Sequence, residues 1–298
     1  MKHIHSITGI KYVPKTYLIE KGAILAFNKS IIYDEQIQCS NHELKTPPTF
    51  TRYLIPGDLE QPIHNPYSNR LDGSSEWKYF IDINIGDTIT VSGDISEVKI
   101  RNGSLGEMCI VTSKLIYVNQ KDELTCTQFS TIIHYNRSPN SNINSSDKRY
   151  YNTSKNNEIY KIADLDSLKV GDNIPEQLKQ PSTRQLVMYA GASRDFYQIH
   201  YDQQFAQSIG FPKVIVHGAL KAAFLGQMLT NSMDQSAILD ELFVRYNAID
   251  FEGCKMICKG TITKIIPSNI DKKIYCDIWI ENSDGITTTE GNATITIR

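Results

Sequence analysis

No apolar run in the chain approaches the roughly 20 residues that a membrane-spanning helix needs. The opening stretch MKHIHSITGIKYVPKTYLIEKG also lacks a continuous apolar core and a small-residue cleavage site. Together these absences predict no membrane association, no secretion and a cytoplasmic address. Net charge is scarce as well: 31 basic against 33 acidic side chains leave −2 at pH 7. With no basic stripe interleaved with aromatics, nucleic acid is not expected as a partner. The six cysteines include no CxxC pair. Cys254 and Cys258, four apart in a segment patterned as strand, are expected to share one face as reduced structural thiols, and no metal site is expected. What remains is ordinary globular material, 40% hydrophobic and 21% charged over 298 residues, enough for two cores.

Residues 136–157, NRSPNSNINSSDKRYYNTSKNN, are dominated by Asn and Ser and carry no periodic apolar pattern. They read as a linker between a first unit, 1–135, and a second, 158–298. The two units share a rhythm. Gly86 and Gly93 lie seven apart between β-patterned runs, and so do Gly253 and Gly260. Two further strands close each unit, Leu105–Val118 and Leu124–His134 in the first, Lys272–Ile280 and Thr287–Ile297 in the second. A helical segment precedes the strands in each, YLIEKGAILAFNKS and TRQLVMYAGASRD. The pattern predicts a duplicated α+β unit. The units differ in the middle: ALKAAFLGQMLTNSM places Leu220, Phe224 and Met228 at helical spacing. The matching first-half segment is interrupted by Pro56-Gly57, Pro62 and Pro66, which predicts a central helix that is short or broken there.

Chemistry concentrates in YAGASRDFYQIHYDQQFAQSIGFPKVIVHG, residues 189–218. Asp195 and His200 lie five apart, and His217-Gly218 follows seventeen and eighteen positions after His200. Only two of the seven histidines fall in the second half, and both are here. An isolated Asp and His five apart are commonly surface or capping residues; the surrounding pattern gives this pair its weight.

That pattern resembles the signature of the MaoC-like hydratase family, close to YAxxSGDxNPIHxDxxxAxxxGFxxxIxHG. The first half, with KTPPTF, LDGSSEWKYF and INIGDTITVSGDISEV, resembles the amino-terminal dehydratase-like half of two-domain members. The resemblance implies a double hot-dog fold, each half wrapping an antiparallel sheet around a central helix. It also implies that Asp195 and His200 are the catalytic acid/base pair and that the Gly218 amide binds the substrate carbonyl. Three positions depart from the signature: Arg194 stands for the usual Gly, Tyr197 for Asn and Gln198 for Pro.

Adding water to a 2-enoyl thioester needs a base for the water, an acid for C2 and a donor for the enolate-like oxygen. His200 can be neutral near physiological pH, and Asp195 can share the same water and pass its proton. One shared water gives syn addition and, by the resemblance, an (R)-3-hydroxyacyl product. Gly218 opens the predicted helix, where amides lack intrahelical acceptors, and a glycine lets the substrate approach closely. His217, Tyr197 and Phe211 are further substrate-binding candidates, Phe211 chiefly as a shaper of the turn before Val214–Val216, a segment patterned as strand. Asp202 is expected to cap a short helix, and Arg194 to end in an exposed salt bridge or against a coenzyme A phosphate. The first half carries no second acid/base pair, so one active site per chain is expected, with room left for a long acyl chain. No cofactor is expected beyond the coenzyme A of the substrate; the oligomeric state is open, with a homodimer as one possible assembly. A hot-dog thioesterase and a non-catalytic acyl-thioester subunit are the alternative readings.

Overall fold

The computed structural model describes residues 7–32, 45–55, 66–103, 106–136, 162, 165, 167–233, 236–268 and 270–298. Its strands are β1 (Lys15–Leu18), β2 (Asn69–Tyr79), β3 (Thr88–Gly103), β4 (Gly106–Val118), β5 (Leu124–Tyr135), β6 (Asn173–Lys179), β7 (Ala237–Tyr246), β8 (Met256–Pro267), β9 (Lys272–Asn282) and β10 (Thr287–Ile297). Its α-helices are α1 (Lys21–Ile31), α2 (Thr183–Ser193), α3 (Gln203–Ser208) and α4 (Gly218–Ser232). All ten strands join one sheet in the order β1-β3-β4-β5-β2-β7-β10-β9-β8-β6, every pairing antiparallel. The order reads as one five-strand motif followed by its mirror. β1, β3, β4, β5 and β2 of the first half correspond to β6, β8, β9, β10 and β7 of the second, and the halves meet where β2 pairs β7.

The seven-residue glycine rhythm has a physical cause in both halves. Gly86 and Gly253 adopt φ of 90° and 77° in the turns ahead of β3 and β8, a region open to glycine at little cost. Gly93 and Gly260 lie inside those strands with no room for a side chain: a Cβ at Gly93 would stand 2.1 Å from the Lys114 carbonyl oxygen, and one at Gly260 2.8 Å from Ile174 Cδ1. Cys254 lies in the turn that Gly253 creates, so only Cys258 is on β8, and the two thiols do not share a strand face as the spacing suggested.

α4 is enclosed by the sheet. Ala219, Leu220, Ala222, Ala223, Phe224, Leu225, Met228 and Leu229 are all buried, which is why the apolar residues of this helix spread beyond one stripe, with Lys221 and Gln227 as buried polar exceptions. Each large side chain so buried contributes about 1.5–3 kcal/mol. In the first half a seven-residue 3-10 helix, Pro48–Leu54, packs against α4 instead of a second long helix. α1 packs on α2 as its counterpart. This is the α+β double hot-dog architecture, with a short first-half element at the central position as the prolines suggested. The linker expected at 136–157 lies outside the described residues except for Asn136, whose Oδ1 accepts from Ser68 N at 2.9 Å. Val214–Val216 forms no strand; its one bridge is Ile215 with Phe251. Among the described residues no helix is long and apolar enough to cross a membrane.

Candidate active site

Local backbone geometry brings the titratable residues together. α2 ends at Arg194, whose φ of 62° and ψ of 21° turn the chain sharply and deliver Asp195 just past the helix. This left-handed position accounts for the glycine usual in the signature; an arginine there bears a cost of about 1–2 kcal/mol. Its guanidinium lies over the rings of Tyr17 and Tyr53 at 5.8 and 5.4 Å, both from the first half. A single 3-10 turn, Gln198–His200, then carries His200 inward, and Asp202 caps α3 by accepting from Phe205 N at 3.0 Å. Lys221 of α4 forms a buried pair with Asp250 at 2.9 Å, while Val216 N donates to the Asp250 carbonyl, fixing the approach to α4.

Asp195, His200 and His217 are all buried, and one ligand atom of each lies within 4.8 Å of those of the other two. The two imidazoles stack, with centroids 3.6 Å apart and planes 19° from parallel. His200 Nδ1 lies 2.9 Å from the Ile215 carbonyl oxygen. A carbonyl only accepts, so Nδ1 carries the hydrogen and Nε2 keeps its lone pair. Burial lowers His200 below the usual histidine range, although Asp195 pulls the other way. Burial, then the neighbouring His200, lowers His217 further. Burial thus favours the neutral form of both rings. His217 approaches the Asp195 backbone, yet neither of its ring nitrogens closes a hydrogen bond.

The first half reaches into this cluster with three charged side chains that the motif did not announce. Arg52 of the 3-10 helix donates from Nη2 to Asp195 Oδ2 at 2.7 Å. Arg70 of β2 places Nη2 3.9 Å from Asp195 Oδ1 and its guanidinium 5.0 Å from the centre of the Tyr197 ring. Burial alone would raise the Asp195 carboxyl; Arg52, then His200 and His217, reverse that and hold it well below the usual carboxylate range. Asp72 of β2 accepts from Ala219 N at 3.2 Å, capping α4 across the boundary between halves. A bulge in β2 between Asp72 and Ser74 lies beside that contact. A Cβ at position 218 would stand 2.8 Å from both Asp72 Cβ and Asp72 Oδ2, so the glycine is required first by Asp72 rather than by substrate. The segments TPPTFTRYL and RLDG were visible, but partners 143 and 147 residues away leave no spacing signal.

Of the other candidates, Tyr197 is half-buried with its ring edge-on to His200 at 6.2 Å. Its hydroxyl nears the Arg70 backbone without meeting a partner. Phe211 is buried in the core cluster, and its amide donates to the Ala206 carbonyl at 2.9 Å. The donor set Asp195, His200 and His217 is a poor fit for a cation: Arg52 already neutralises the carboxylate, and His200 Nδ1 is committed to Ile215.

Residues 6–128 match the FAS1-like dehydratase domain region, and residues 169–264 match the MaoC-like domain. The chain carries a MaoC-like domain in its second half and a FAS1-like dehydratase region in its first. The MaoC-like family is one of hydratases and dehydratases. No curated protein sequence matches this MaoC-like chain. Among solved structures, a MaoC-like dehydratase superposes with a TM-score of 0.75 at 19% identity, covering 99% of each chain. A putative MaoC domain protein dehydratase from Chloroflexus aurantiacus J-10-fl gives 0.68 at 11% identity, covering 97% of this chain and 95% of its own. A conserved hypothetical protein of Mycobacterium tuberculosis, described as having a double hotdog fold, gives 0.65 at 8% identity over 97% of this chain and 96% of its own. At these identities the superpositions speak for the fold.

Proposed function

We propose that this MaoC-like chain reversibly hydrates 2-enoyl thioesters of coenzyme A to (R)-3-hydroxyacyl thioesters, with no metal or redox cofactor. The observation that carries the reading is the state of His200: Nδ1 committed to Ile215, Nε2 bare, the ring neutral, and the carboxylate of Asp195 beside it. A water between Nε2 and Asp195 loses its proton to nitrogen as its oxygen attacks C3. The same side of the alkene then receives the proton at C2, which makes the addition syn. The thioester oxygen binds at the start of α4, where the Gly218 amide has no acceptor among the described residues and the helix dipole favours developing negative charge. The reading keeps the chain cytoplasmic, with acyl-CoA as substrate and a homodimer as one possible assembly.

A panel of trans-2-enoyl-CoA thioesters from four to twelve carbons tests this with the native protein, Asp195→Asn and His200→Ala. Loss of enoyl absorbance without free thiol is the expected result, and each substitution is expected to lower kcat/KM by about 10²- to 10⁴-fold. Turnover that survives either change sinks the assignment, and release of free thiol points to a thioesterase. One observation favours a second reading, acyl-thioester binding without turnover: Asp72 already occupies the Ala219 amide. Saturable binding of the same thioesters with no change in absorbance supports that alternative.

A further inference from the structure

We propose that Arg52, supplied by the half without an acid/base pair, is a positioning residue that keeps Asp195 ionised and fixed through the whole cycle, so that His200 alone carries the proton from water to C2. This rests on the hydration reading and specifies its proton path. The pair is short and enclosed: 2.7 Å, with side-chain exposures of 16% for Arg52 and 7% for Asp195. Arg52 engages Oδ2, while Oδ1 meets only the longer 3.9 Å approach of Arg70 Nη2 and is the oxygen left to orient water. A charge-assisted hydrogen bond of this length favours the ionised carboxylate strongly.

The arginine is held in place before any substrate arrives. Trp77 Nε1 donates to Thr51 Oγ1 at 2.8 Å, Thr51 donates to Gln128 Oε1 at 3.0 Å, and Tyr117 donates to the same oxygen at 2.8 Å. The Tyr79 hydroxyl donates to the Pro48 carbonyl at 3.0 Å. Strands β2, β4 and β5 thus lock the 3-10 helix at two points ahead of Arg52, Pro48 and Thr51, an arrangement whose cost in ordering is met in folding rather than in catalysis.

The step balances without an acid role for Asp195. A water O–H bond breaks as oxygen bonds to C3; the proton goes to His200 Nε2 and the alkene electrons move onto the thioester as an enolate. The imidazolium N–H then breaks, its proton bonds to C2, and the thioester carbonyl re-forms. Asp195 remains a carboxylate and stabilises the transient imidazolium. Charged and titratable groups around it are Arg52 of the 3-10 helix, Arg70 and Asp72 of β2, Tyr189 of α2, Tyr246 of β7, and the two stacked histidines. Removing Arg52 leaves a buried carboxylate whose desolvation raises it toward protonation, and removes a cation that lowers His200.

The test uses Arg52→Gln and Arg52→Lys in the full chain. With trans-2-octenoyl-CoA, Arg52→Gln is expected to lower kcat by about 10²-fold with little change in KM, as misplacement of a catalytic group does. The acid limb of its kcat/KM profile is expected to move to higher pH, while Arg52→Lys, which keeps the charge, recovers part of both. Carbon-13 carboxyl NMR, with Asp195 assigned through Asp195→Asn, is expected to show no titration of that carboxyl from pH 4 to 9 in the native protein. Titration within that range in the native protein overturns the proposal, as does a folded Arg52→Gln with an unmoved acid limb and native kcat. A native protein without turnover would defeat the hydration reading, while the NMR titration still decides whether Arg52 fixes the charge of Asp195. Should Arg52→Gln fail to fold, Arg52→Lys and the native titration decide.

Discussion

At the scale of single residues, a buried neutral histidine has two consequences of the same sign. His200 works as a base only when unprotonated, and burial lowers its pKa, so kcat/KM is expected to stay level below the usual histidine range and to fall only at more acid pH. A pH–rate profile checks this; an acid limb above 6.5 contradicts it. His134 in β5 is pushed down to about 4 by burial and then by Arg70. Its folded pKa lies below its unfolded one, so between about 6.5 and 4 the unfolded chain binds the extra proton and stability is lost as pH falls. The loss from this residue reaches about 3 kcal/mol at most, and His200 and His217 add to it. Thermal unfolding of native protein and His134→Gln at pH 7 and 5 is expected to show the smaller drop in the variant. Gly218→Ala is expected to destabilise by about 1–3 kcal/mol through the clash with Asp72. Most of that loss should return in the double variant with Asp72→Gly, and a cycle of four unfolding curves measures the coupling.

At the scale of elements, the closing strands of each half and α4 were legible because their signals are local: strand alternation, turn glycines and a run of apolar residues at helical spacing. The strands closing each half begin and end within about two residues of the periodicity, and the structure brings Asp195, His200 and His217 together. The helix-opening amides were legible too, but not the side chain that caps one of them. Asp72 and Arg52 act through partners in the other half, and a buried ion pair leaves no periodic trace in either segment. Val214–Val216 misled for the converse reason: its composition suits a strand, but Val216 bonds to the Asp250 carbonyl and the chain turns into α4. The 3-10 helix depends on polar contacts more than on its own seven residues. Trp77→Phe, which deletes the bond to Thr51 and keeps most of the ring, is expected to lower kcat several-fold while reducing stability by about 1 kcal/mol. Enoyl-CoA kinetics beside denaturant unfolding separate the two effects.

At the scale of the whole molecule, the second half is expected to need the first. Residues 162–298 expressed without the rest would lose Arg52, Arg70 and Asp72 and expose the β7 edge. Such a fragment is expected to be inactive and to self-associate, which sedimentation and the thioester assay would show together. The boundary is narrow: Ser74–Lys78 of β2 pairs with Arg245–Glu241 of β7, with Lys78 to Glu241 at 2.9 Å and Tyr246 to Ser75 at 3.3 Å beside it. A slip of two residues there would carry the first half about 7 Å along the strand, far past the 2.7 Å that joins Arg52 to Asp195. The pairing therefore works as a caliper whose jaws close on a single carboxylate. Its two halves repeat one topology without being spare parts for each other, and a chimera taking its first half from a relative is expected to keep the fold and lose the fit.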